Sequence, residues 1–146
     1  MQFIYFLLAI VAGFAAATQS GVNAQLRTHL GNPYLTALIS FATGTGLLMI
    51  LYWFNRGVVT TTPAGRMSWY QFTGGVLGVF FVTIILNIAR RIGATTMFSF
   101  IIAGQLLAAI LFDHFGLLGY QTHPVSGWRV AGILLVVVGA VIILKN

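Results

Sequence analysis

Five apolar runs, each close to the length of a bilayer-spanning helix and each bounded by turn signals, dominate this chain. A hydrocarbon core about 30 Å thick is crossed by roughly 20 helical residues rising about 1.5 Å each. The runs fall at Phe3 to Ala24, Tyr34 to Phe54, Trp69 to Ile88, Gly93 to Phe112 and Trp128 to Leu144. They are apolar all round, whereas barrel strands alternate over about ten residues. The pattern predicts an all-α integral membrane protein, with residues 1–146 forming a single transmembrane domain of five helices.

Composition points to the same solvent. Of the 146 residues 59% are hydrophobic and 5% charged, with a mean hydropathy of +0.98, whereas a soluble domain carries roughly a quarter charged residues. The charges are Arg27, Arg56, Arg66, Arg90, Arg91, Arg129, Lys145 and one acid, Asp113. A net charge of +6 invites a nucleic-acid partner, but these cations lie scattered in the polar gaps between runs and build no basic face. At span ends they sit among lipid headgroups and bear on orientation. Without cysteine the chain has no disulfide and no thiolate metal site. The uninterrupted apolar part of the first run, Phe3 to Ala17, ends in Ala15, Ala16 and Ala17, as a signal peptide does. Only Met1 and Gln2 precede it, so the basic leader region is missing and the run reads as a span.

The borders carry local signals. Asn32 before Pro33 suits a helix N-cap with proline at the first helical position, Ser68 with Gln71 fits a capping box, and Ser126 is placed to cap the fifth helix. Tyr34, Tyr52, Trp53, Trp69, Tyr70 and Trp128 stand where amphipathic rings prefer the interface. Small residues recur every four positions, which allows close helix approach. On the first helix Ala9, Gly13, Ala17 and Gly21 form one stripe, and Ala12, Ala16, Ser20 and Ala24 the next; Thr36, Ser40 and Gly44 follow on the second, and Gly74 and Gly78 on the third.

Amides inside a membrane cost free energy unless they find partners or water. Gln19, Asn23, Asn87 and Gln105, with Ser40 on the second helix, are therefore the candidate substrate-contacting residues. Gln19 and Asn23 share a face, being four apart. Convergence of the first and fourth helices would bring Gln19, Asn23 and Gln105 to one wet cavity, and pairing among themselves is the structural alternative. Asp113 follows directly on the fourth span beside His114, and the two are a candidate protonatable pair for coupling. A solvated helix end is the plainer reading of the same carboxylate. No Ser/His/Asp, Cys/His, metal-ligand or phosphate-cradling arrangement can be assembled, so neither an enzyme nor a cofactor is expected.

The residues Gln19, Asn23 and Leu26 through the Gly31-Asn32-Pro33 turn, Gly74-Gly75 with Gly78, Gly104-Gln105, and Asp113-His114-Phe115-Gly116-Leu117-Leu118-Gly119 form a pattern. In these the chain resembles the short, five-helix branch of the drug/metabolite transporter superfamily, the YdcZ-type, EamA-like inner-membrane proteins of bacteria. The resemblance implies a bacterial inner-membrane location, half of a ten-helix inverted-repeat fold, and transport or export of a small solute. Gly132 and Gly139, a heptad apart, make the fifth helix similar to the dimerising last helix of small multidrug resistance proteins. Those exporters carry a carboxylate inside helix one; the matching stretch here offers neutral Gln19, so neutral, zwitterionic or anionic solutes fit better than cations.

From these readings follow three function classes: a secondary transporter using alternating access, a dual-oriented channel, and a non-transporting assembly subunit. Alternating access usually uses two repeats of inverted topology, and no internal duplication occurs here. The expected partner is a second copy in antiparallel orientation, or an oppositely oriented paralogue, with Gly132 and Gly139 at the contact. An odd number of spans puts the termini on opposite sides. Arg27, Arg90, Arg91 and Lys145 then share the C-terminal side, and Arg56, Arg66 and Arg129 the N-terminal side. Four against three fixes orientation weakly.

Overall fold

The structure, a computed structural model, describes residues 2–55 and 69–145. Five helices account for most of them: α1 (Gln2–Leu30), α2 (Pro33–Phe54), α3 (Thr73–Ile92), α4 (Ala94–Phe115) and α5 (Gly127–Lys145). Short 3-10 turns precede α3 at Trp69–Phe72 and follow α4 at Leu117–Gly119. All five helices are long and apolar enough to cross a bilayer, and no strand occurs among the described residues. Trp69 and Trp128, expected at the interface, stand 81% and 89% exposed at the starts of their spans.

Helix ends outrun hydropathy. The first span extends past Ala24 to Leu30, the third past Ile88 to Ile92, and the fourth past Phe112 to Phe115. Hydropathy marks where lipid contact ends, while a helix continues until its backbone is turned. Gly31 (φ +68°) does this after α1, its N–H bonded to the Arg27 carbonyl at 2.9 Å. Gly116 (φ +60°) does it after α4, with its N–H on the Phe112 carbonyl. Asp113 and His114 therefore lie in the last turn of α4 and do not follow it.

Two compact units divide the chain, Met1–Arg90 and Arg91–Asn146. In the first, α1 packs along α2 across the turn that Asn32 organises. Its side-chain oxygen accepts from the Tyr34 and Leu35 amides at 2.8 and 3.2 Å, and Pro33 opens α2. Of the small-residue stripes of α1 only the end of the second is covered, with Ser20 buried and Ala24 half-buried; in the first, Gly13 and Gly21 have open space where a Cβ would stand. On α2, Thr36 and Ala37 are buried, and the Thr36 hydroxyl donates to the Asn32 carbonyl at 2.9 Å. Phe41 lies against α3 at Gly78, where an added Cβ would stand 3.5 Å from the ring.

The second unit is a hairpin of α4 packed on α5. Its connection is tied back to both helices. The His123 amide donates to the Asp113 carbonyl at 2.8 Å, and the Val125 amide to His114 Nδ1 at 3.3 Å. Phe112 and Tyr120 stack with ring centroids 6.3 Å apart. Ser126 caps α5 as expected, its hydroxyl accepting from the Arg129 amide at 3.3 Å. The capping box of Ser68 with Gln71 includes a residue outside the described ones.

Candidate functional site

Asn23 and Ser40 are brought together. Asn23, buried on α1, donates through Nδ2 to Ser40 Oγ of α2 at 3.1 Å. Two polar side chains inside adjacent spans thus satisfy one another, as a membrane interior demands. Gln19, one turn earlier, is exposed. A helix turn is not an integer number of residues, so four positions rotate a side chain enough to leave a narrow buried seam.

Asn87 sits on α3, exposed, and its amide donates to the Thr83 carbonyl of its own helix at 2.8 Å. It borders a cavity of about 670 Å³ shared with Tyr34, Thr83 and the apolar residues Val79, Phe80 and Ile84. Thr83 Oγ1 is buried without a hydrogen-bond partner. An unpaired hydroxyl is rare in a folded interior, and nothing in the local sequence singles this one out. Arg27, which in the sequence stands out only as a charge near a span end, is another. Its guanidinium donates from α1 to the main-chain carbonyl of Leu86 on α3.

Gln105 belongs to the second unit, on α4, so the expected convergence joins residues of different units; Asn23 with Ser40 and Gln105 are each placed within their own. Gln105 borders a cavity of about 240 Å³ with Ala108, Phe112, Asp113 and Tyr120. Asp113 does not pair with His114. Its Oδ2 lies 3.2 Å from Arg129 Nη2 of α5, while His114 accepts from Val125 and packs edge-on to Phe115. Adjacent residues on a helix point about 100° apart, which separates the two. A further cleft of about 260 Å³ runs from the Asp113–Arg129 pair along α4 and α5, past Gly132. Gly139 is half-buried beside the buried Ala140, with nothing within 4 Å of where its Cβ would be.

The family model described as "Putative inner membrane exporter, YdcZ" matches residues 4–142. The chain belongs to this family. It is 24% identical over 138 residues to the inner membrane protein YdcZ of Escherichia coli strain K12, covering 94% of this chain and 92% of that one. No solved structure matches. As a YdcZ family member with five spanning helices, the chain is a multi-pass protein of the inner membrane, in a family described as one of exporters. The Asp113-to-Gly119 stretch noted in the sequence has a geometric job in this family member. It ends α4, turns through Gly116 and Gly119 at positive φ, and fixes the charge pair to α5.

Proposed function

We propose that this chain is a secondary transporter that exports a small polar solute by alternating access, with two copies of opposite orientation as its working unit. The carrying observation is the hydrogen bond between buried Asn23 and half-buried Ser40 inside two spans of a member of an exporter family. Neutral hydrogen-bonding groups retained at membrane depth mark pathways for polar solutes. Gln19 stands on the same helix with no carboxylate near it in sequence, which favours neutral, zwitterionic or anionic cargo. Asn23, Ser40 and Gln19 are the proposed contacts from the first unit, and Gln105 and Asn87 are further candidates.

The dimer follows from what one chain lacks. Five helices supply one repeat, and an inverted second repeat completes such a cavity in transporters of this construction. At most 11% of the residues in the most apolar stretch of any span are buried, which leaves helix faces for lipid and a second copy. Gly132 borders the cleft between α4 and α5, so the proposed intersubunit contact on α5 centres on Gly139.

Purified chain in liposomes tests the reading. Saturable flux with counter-transport is expected, reduced in Asn23→Ala and Ser40→Ala. Linear, non-exchanging flux would make the protein a channel, and no flux from the chain alone would make it an assembly subunit. For orientation, single cysteines placed between residues 56 and 66 of this cysteine-free chain are expected to react about half with an impermeant thiol reagent in intact cells, as mixed insertion requires. Labelling of all or none would rule out two orientations.

A further inference from the structure

We propose that the cleft between α4 and α5 is a binding site for a zwitterionic phospholipid, with Arg129 holding the phosphate and Asp113 the ammonium group. The inference concerns the second unit alone and holds whether or not the chain transports.

Its basis is where the only carboxylate of the chain has been put. Asp113 is third from the end of α4 and Arg129 is the third residue of α5. An anion near a helix C-terminus and a cation near an N-terminus both oppose the macrodipole, so neither charge stabilises the helix that carries it. Together they do something else. Side-chain charge and helix terminus have the same sign at each end, so a positive α5 start faces a negative α4 end across 3.2 Å. The side chains remain reachable, 27% exposed for Asp113 and 42% for Arg129. The ligand complementary to a fixed local dipole of this kind carries one positive and one negative group a short distance apart.

The cleft continues from these charges between apolar walls. From the ion pair it follows Ala109 and Leu106 down α4 and Gly132 and Ile133 along α5. Seven residues of helix from Asp113 to Leu106 span about 10 Å. Charge lies at the end of the span, where headgroups are, and the apolar walls lie deeper, which is the layout of a lipid seated in its own leaflet. At about 260 Å³ the cleft falls short of the ~300–1,000 Å³ that enclose a drug-sized ligand. It suits an acyl chain that continues into the bilayer and not a wholly enclosed solute. Gly132 helps to make the room: it borders the cleft, and a Cβ there meets nothing within 4 Å.

Native mass spectrometry of the full purified chain, offered equal amounts of phosphatidylethanolamine and phosphatidylglycerol, tests this. Wild type is expected to retain the zwitterionic lipid about tenfold over the anionic one, the effect of one charge-assisted hydrogen bond. Asp113→Asn combined with Arg129→Gln should abolish the preference. Because that variant also loosens the hairpin, Gly132→Leu is the second arm, filling the cleft while leaving the ion pair in place. It should lower retention by a similar factor with unchanged melting temperature. Soluble phosphoethanolamine, which has the charges and no acyl chain, should not displace the lipid at equal concentration. Equal retention of the two lipids by wild type, full retention by Gly132→Leu, or displacement by the soluble headgroup at equal concentration would each overturn the assignment, the last by giving the cleft to a free solute.

Discussion

Asn23 Nδ2 lies 3.1 Å from Ser40 Oγ, so the buried amide of α1 has its partner on the neighbouring span. Hydrogen bonds between membrane helices measure about 0.6 kcal/mol on average, because the unfolded chain in the bilayer also finds partners. A double-mutant cycle of Asn23→Ala and Ser40→Ala, read by thermal unfolding in detergent, should return a coupling of that order. Solute binding should fall by a larger factor than stability alone explains. Coupling near zero would mean that the two groups do not share a bond in the folded protein.

Thr83 gives the opposite expectation. Its hydroxyl oxygen is buried without a partner, and an unsatisfied buried polar group costs about 1–3 kcal/mol. Thr83→Val keeps the shape and removes that cost. The variant should be as stable as wild type or more so, where most Thr→Val changes in a bonded interior destabilise. Loss of solute binding in a stabilised Thr83→Val protein would show that the hydroxyl is kept for a ligand in the cavity it shares with Tyr34 and Asn87.

How much of this was legible in sequence depends on how far apart the interacting groups lie. The Asn32-Pro33 cap was readable because its chemistry is complete within a few consecutive residues, and the Ser126 cap for the same reason. Hydropathy misplaces the helix ends at Gln25–Leu30, Ala89–Ile92 and Asp113–Phe115, since those stretches are polar enough to leave the hydrocarbon yet stay helical until a glycine turns them. The amides at Gln19, Asn23, Asn87 and Gln105 could be named but not sorted. Which is buried depends on a rotation about the helix axis that composition does not set, and only Asn23 points inward. Adjacency in the sequence pairs Asp113 with His114, whereas helical geometry hands it to Arg129, sixteen residues on.

Gly31 and Gly116 share positive φ but differ in surroundings, and that difference is measurable. Alanine at a left-handed position costs about 1–2 kcal/mol from the backbone alone. At Gly31 nothing lies within 4 Å of a new Cβ, while at Gly116 Thr122 Oγ1 would be 2.7 Å away. Gly116→Ala should therefore lower the melting temperature more than Gly31→Ala. Adding Thr122→Ala should bring the two into line by removing the clash and leaving the backbone term. Failure of Thr122→Ala to rescue would place the cost of Gly116→Ala entirely in the turn.

Arg27 carries the last prediction. Among seven cations and one acid, Asp113 is engaged by Arg129, so a half-buried guanidinium near the end of α1 must find neutral acceptors. It takes the Leu86 carbonyl, 59 residues away on α3, in the manner of intramembrane cations that bond to backbone when no carboxylate is present. This is the described hydrogen bond that joins α1 to α3, and it is unlike a surface ion pair because salt should screen it little. Arg27→Met keeps much of the apolar stem and removes the donor. It should destabilise the protein by about 1.5–3 kcal/mol, the range for bonds to charged groups, equally at low and high ionic strength. Arg27→Lys should recover part of the loss, because an ammonium can reach a single carbonyl but lacks the spread of the guanidinium fork. If Arg27→Met instead melts with wild type, or if its cost vanishes in high salt, the residue acts as an interfacial charge that orients the chain and not as a clasp between α1 and α3.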